Sequence, residues 1–152
     1  MIDYYTLTEK IKDTLLADPF IKTVTKGGLD DIANVKQQEY ALAHVMVNSC
    51  SANGSALTYN LSVICMDIVD ISKKETTDEF RGNDNEDDVL NTMLIVQVGL
   101  YEELRRGALF TEHYVVEDAV SIEPFTDRFE DKVAGWTMTV DVVVPNQTTI
   151  CR

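Results

Sequence analysis

Apolar residues recur along the chain in two rhythms, one of three to four residues and one of two, and the alternation between them lays out the elements. Tyr4, Leu7, Ile11 and Leu15 fall at helical spacing, with Glu9, Lys10, Lys12 and Asp13 between them. This predicts an amphipathic helix with one buried stripe, ended by Pro19. Residues 20–25 alternate as a short strand, and Gly27-Gly28 closes it with a turn. Residues 29–36 read as a connecting loop. Residues 40–48 form a strand rich in small and β-branched side chains, and residues 49–55 are a turn cluster containing the Asn53-Gly54 pair. In the strand that follows, Leu57, Tyr59, Leu61 and Val63 share one face, and Thr58, Asn60 and Ser62 share the other. From Ile64 to Ile71 both faces are apolar. The two strands make a hairpin over residues 40–71 that is long for one small core, so its Thr58/Asn60/Ser62 end is expected to protrude.

The second half is clearer. Residues 72–88 are polar and charged, ending in the run Asn83-Asp84-Asn85-Glu86-Asp87-Asp88. That run lacks the spaced oxygens, central glycine and closing glutamate of a calcium loop. It reads instead as a cap and acidic complement to the positive end of the next helix. Val89, Met93, Val96, Leu100 and Leu104 form that helix's stripe, flanked by Leu90, Leu94, Gln97 and Tyr101. Arg105 and Arg106 suit its carboxyl end, and Gly107 terminates it. Residues 113–123 alternate as a strand stopped by Pro124, and residues 125–134 form a charged loop anchored by Phe125 and Phe129. Gly135 then opens a strand in which Trp136, Met138, Val140, Val142 and Val144 share one face and Thr137, Thr139 and Asp141 the other.

The order helix, strand, long hairpin, long helix, two strands predicts an α+β fold: an antiparallel β-sheet with both helices on one face. With 152 residues and neither repeat nor linker, the chain reads as a single domain over residues 1–152. A flexible acidic loop over 72–88 and a tail over 145–152 are its expected appendages.

Charge and chemistry narrow the function. The formal net charge is −13, from 26 acidic and 13 basic residues. Such a surface repels phosphate backbones, which are bound by Lys and Arg displacing counterions, so specific nucleic-acid binding is not expected. It also suits a wall past which DNA must slide without sticking. No apolar run reaches the length of a membrane span, and the start Met1-Ile2-Asp3-Tyr4-Tyr5 lacks the basic and apolar blocks of a signal peptide. Synthesis in the cytosol is therefore expected. Cys50, Cys65 and Cys151 are widely spaced, and neither His44 nor His113 stands at a zinc-ligand distance from them in sequence. His44, among Ala43, Val45 and Val47, reads as a structural histidine. No nucleophile motif and no phosphate-cradling glycine loop occurs. The expectation is a protein without catalytic residues, metal or cofactor.

The carboxyl segment Ile122-Glu123-Pro124-Phe125-Thr126-Asp127-Arg128-Phe129, then Val133-Ala134-Gly135-Trp136, and the closing Val144-Pro145-Asn146 with a trailing cysteine, resembles virion proteins of phages that infect Bacteroidetes. The element order resembles the tail-terminator and tail-completion family of tailed bacteriophages, including related ring proteins of crAss-like phages. The resemblance implies a homo-oligomeric ring, six- or twelve-fold, in the virion at the head–tail junction. There it would cap or join the tail tube, dock on portal, adaptor or tail-tube proteins, and let DNA pass without specific binding. It implies no catalytic residue and no membrane. On this reading the candidate subunit contacts are Asn53, Gly54, Thr58, Asn60 and Ser62 on the hairpin, Asp84, Glu86, Asp87 and Asp88 on the acidic loop, and the aromatic anchors Phe125 and Phe129. The alternative is an acidic phage-encoded module that engages a host protein.

Overall fold

The computed structural model describes residues 4–28, 40–69, 80, 85–107, 114–116, 120–126 and 133–146. Among them the elements are α1 (Tyr4–Leu16), β1 (Thr23–Lys26), β2 (Leu42–Asn53), β3 (Ala56–Ile68), α2 (Glu86–Arg106), β4 (Val115–Val116), β5 (Ser121–Thr126) and β6 (Val133–Pro145). The fold is α+β, with a six-stranded sheet in the order β1-β2-β3-β6-β4 and β5 also on β6. β4 and β5 occupy the same edge of β6, β4 beside Val142 and Val143 and β5 between Ala134 and Thr139.

The sheet is mixed, not antiparallel throughout: β1 runs parallel to β2, Thr23 opposite Leu42 and Lys26 opposite Val45. A parallel neighbour needs a crossover connection, and residues 27–41 are long enough to make one. The strand expected from Phe20 starts at Thr23, because the chain is still leaving α1. The Asp18 carboxylate accepts from the Phe20 amide (2.9 Å), and Phe20 stays exposed.

The turn between β2 and β3 is tighter than expected. Ser49 to Asn53 pair with Ala56 to Asn60, so only Gly54 and Ser55 turn, Gly54 at φ +37°. The hairpin does not protrude as a free arm either. β6 pairs with β3 along its whole length, from Ile68 opposite Val133 to Ala56 opposite Pro145. Asn146 then bonds the Ser55 carbonyl through its amide (2.9 Å) and the Gly54 carbonyl through its side chain (3.2 Å). Thr58, Asn60 and Ser62 therefore lie in the middle strand of the sheet.

Pro124 does not stop a strand. It sits inside β5 opposite Trp136. Proline gives no ladder donor, and an edge strand tolerates it where its nitrogen faces outward. The strand expected over 113–123 is instead two pieces, β4 and β5, and β6 begins at Val133, two residues before Gly135.

One face of the sheet carries both helices. Ala43 and Val45 of β2, Tyr59, Leu61, Val63 and Cys65 of β3, and Met138, Val140, Val142 and Val144 of β6 meet Leu7, Ile11 and Leu15 of α1 and the five-residue stripe of α2. α2 begins at Glu86, so Glu86, Asp87 and Asp88 form its first turn, where their charge complements the helix dipole. Asn85 takes the N-cap position without a side-chain cap bond. At the other end Glu102 pairs with Arg105 (3.0 Å) and Arg106 (2.6 Å). Desolvation pulls its carboxyl upward, but the hydrogen bond and charge of Arg105, then those of Arg106, outweigh that and hold it below its ordinary value.

Two polar anchors fix α2 to the sheet. The Trp136 indole donates to the Leu90 carbonyl (2.7 Å). Gln97, fully buried, donates from Nε2 to the carbonyls of Val63 (2.7 Å) and Trp136 (2.9 Å), straddling the β3–β6 seam, while its Oε1 has no partner among the described residues. Both Ala and Met take the donor away from the two carbonyls, but Met fills the space that Ala leaves empty. Gln97→Ala is therefore expected to lower unfolding free energy by about 2–3 kcal/mol and Gln97→Met by about half that, as read by urea denaturation.

Candidate interaction surface

The opposite face of the sheet is divided. At one end Leu42, Ile64, Met66 and Val133 form a second buried cluster, with Tyr40, Met46, Ile68 and Phe125 against it. Among the described residues no helical side chain belongs to this cluster. Beyond it the same face turns polar, because the positions alternating with the core along β2, β3 and β6 are serine, threonine, asparagine and aspartate. Register aligns them in rows: Ser62 opposite Thr139, Asn60 opposite Asp141, Thr58 opposite Val143.

These side chains join across three strands. Asn48 donates from Nδ2 to Asn60 Oδ1 (2.9 Å) and to Ser62 Oγ (2.8 Å). Asn60 Nδ2 in turn donates to the Asp141 carboxylate (2.7 Å). Each asparagine takes the orientation its partners demand, so the row is fixed as well as polar. Asn48 sits where the β2–β3 register shifts between Val47 and Ser49, an extra residue that aims its side chain along the row.

His44 lies on this face near the boundary, fully buried. Its Nε2 meets the carbonyls of Gly27 (3.2 Å) and Gly28 (3.0 Å), and its Nδ1 the Thr25 hydroxyl (2.6 Å). Carbonyls only accept, so Nε2 carries the proton, and the ring ties β1 and the turn after it to β2. It is a structural histidine, engaged at both nitrogens. Burial pushes the Cys65 thiol far up, with the charge of Asp18 adding to this, so it is an inert core group, whereas Cys50 is exposed.

Of the residues read from the sequence as contacts, the structure brings together Asn60 and Ser62, with Thr58 next along the strand, all on the face opposite α1 and α2. Asn60 and Thr58 are half-buried and Ser62 is buried. Asn53 and Gly54 lie at the exposed hairpin turn. Glu86, Asp87 and Asp88 are apart from them, at the start of α2. Phe125 is half-buried in β5 beside the second apolar cluster. Asp84, Phe129, most of the 72–88 segment and residues 147–152 lie outside the described residues. Asn48 and Asp141 complete the polar row and were not among the sequence candidates. The signal available was that Asp141 shares a face with Thr137 and Thr139.

Among the described residues no group of three or more histidine, cysteine or acidic side chains could hold a metal, and no helix is long and apolar enough to cross a membrane. A groove of about 580 Å³ between α1 and α2 is lined in part by Lys10, Asp13, Asp18, Gly99 and Glu103. It offers carboxylates and an ammonium, and its Thr14 hydroxyl donates to the Lys10 carbonyl (2.9 Å). The segment that carries the phage-protein resemblance falls mostly on β5 and β6, which pair Pro124 with Trp136 and Phe125 with Gly135. No protein-family model matches the chain, and no curated protein matches it.

Proposed function

We propose that this protein is a structural subunit of a ring at the head–tail junction or tail of a tailed bacteriophage, homo-oligomeric and either six- or twelve-fold, through which DNA passes unbound. The observation that carries the reading is the fixed polar row Asn48–Asn60–Asp141 with Ser62 on the sheet face opposite α1 and α2. A sheet backed by α1 and α2 presents a stiff face on its other side. Here that face ends in amide, hydroxyl and carboxylate groups, to which a phosphate backbone has no cation to bind. Together with the net charge of −13, this is the surface chemistry of a channel wall or of a wet contact between subunits. The resemblance of the carboxyl segment to phage virion proteins supplies the setting.

Mass measurement of the purified protein, with imaging of the particle that contains it, tests the reading. A closed six- or twelve-fold ring at the junction is the expected result. A monomer that is absent from virions by mass spectrometry would overturn it in favour of the host-binding module, whose mark is a host protein recovered with it.

A further inference from the structure

The groove between α1 and α2 contains a glycine that the fold itself does not call for. Gly99 lines it, exposed and in the interior of α2. Glycine at such a position costs helix stability, because it has more backbone freedom to lose than alanine. Gly135 has an internal reason to lack a side chain, since a β-carbon there would overlap the backbone of β3. Gly99 has none among the described residues: apart from the helix's own backbone, no atom lies within 4 Å of a β-carbon built on it. What the missing side chain does is keep the groove, of about 580 Å³, open down to the helix backbone.

The rest of the lining is part apolar and part acidic. Leu15 and Leu100, both buried, contribute to it. Ile95, one turn before Gly99 on α2, is exposed, as are Leu16 and Phe20, whose neighbours Ala17 and Pro19 line the groove. Its ionic groups are Asp13, Asp18 and Glu103 against Lys10, three acids and one base, for a net charge of −2.

We propose that this groove seats a basic amphipathic helix of a partner protein, its apolar side chains over Gly99 and its lysines or arginines against Asp13 and Asp18. Charge complementarity selects the sign of the occupant. An acidic lining in a chain of net charge −13 attracts a cationic segment and repels an acidic one, a second copy of this chain included. Gly99 selects the form. At a glycine the side-chain ridge of another helix comes close to the backbone, which is the geometry of a helix laid in a groove. The groove lies behind the sheet from the polar row Asn48–Asn60–Asp141, so it does not depend on the ring reading.

Fluorescence anisotropy with the full chain tests it. The probe is a labelled synthetic peptide of about 18 residues, roughly five helical turns, with leucine on one face and lysine on the other. A counterpart with glutamate in place of lysine is the control, both at about 0.15 M salt so that diffuse attraction is screened. The lysine peptide is expected to bind and the glutamate peptide not to. Gly99→Leu fills the groove with an uncharged side chain and is expected to weaken binding about tenfold or more; Asp13→Lys is expected to weaken it several-fold. Gly99→Ala is expected to raise the thermal midpoint of the protein alone by about 2–4 °C, because alanine is the better helix former. A lysine peptide that fails to bind wild type, or binds Gly99→Leu equally well, overturns the proposal. So does a Gly99→Ala variant that melts lower, which would give the glycine a role in the fold itself. Ring formation is read separately by mass, so either reading can fail while the other stands.

Discussion

Gly135→Ala is expected to be the most damaging small substitution in this protein. A β-carbon built there would overlap the Cys65 carbonyl oxygen and lie 2.8 Å from the Met66 α-carbon. Both are backbone atoms of the central strand, locked on one side by β2 and on the other by β6. No side-chain rotation relieves such an overlap, so the β3 and β6 backbones must separate where Met66 faces Gly135. That breaks ladder bonds beside the second apolar cluster, which includes Met66 and Val133. The loss is expected at about 4 kcal/mol or more, in the range reserved for backbone-level disruption and a large share of the 5–15 kcal/mol by which domains are usually stable. Expression mainly in the insoluble fraction, or a thermal midpoint lowered by more than about 10 °C, checks it. A variant that melts like wild type would mean that the strands do not approach this closely.

The second large effect belongs to α2. Leu104 is fully buried at the last turn of the helix stripe, and Ile95, on the outer face of the same helix, is 51% exposed. Truncating a buried leucine costs the transfer of its methyl groups plus the cavity left behind, about 2–5 kcal/mol. Truncating Ile95 removes little that is shielded from water and is expected to change stability by about 0.5 kcal/mol or less. Leu104→Ala and Ile95→Ala, compared by urea denaturation at equal m-values, therefore separate by several-fold. Equal losses would mean that α2 is rotated on the sheet from the orientation described.

What the sequence revealed and what it hid follow from the range of the interactions concerned. The α2 stripe and the alternation in β6 are local, and both were legible: Val89, Met93, Val96, Leu100 and Leu104 are all buried, as are Met138, Val140, Val142 and Val144. Pro124 misled because proline ends central strands but not outer ones, and the position of β5 in the sheet is a tertiary fact. The direction of β1 is likewise absent from any local pattern, since a parallel and an antiparallel strand of four residues look alike in sequence. Of the polar row, Asn60 and Ser62 were visible as polar positions on one face. The tie of Asn60 to Asp141 bridges 81 residues, and only register can supply it. The function candidates on the acidic run fared differently. Glu86, Asp87 and Asp88 proved to be helical, because acids favour the first turn of a helix as readily as a loop.

The place of β6 in the sheet has a consequence for how the protein is made. It is the last strand in sequence yet lies between β3 and the pair β4 and β5. While the ribosome has released only the segments up to β5, the inner flank of β3 lacks its neighbour and β4 and β5 have nothing to pair with. Productive closure must wait for residues 133–145, whose partners in β3 were synthesised some 75 residues earlier, a separation of the kind that slows folding. Throughout that wait the apolar run around Val63, Ile64 and Cys65 is open to other nascent chains, so yield during synthesis depends on elongation speed and chaperone supply as much as on the stability of the finished sheet.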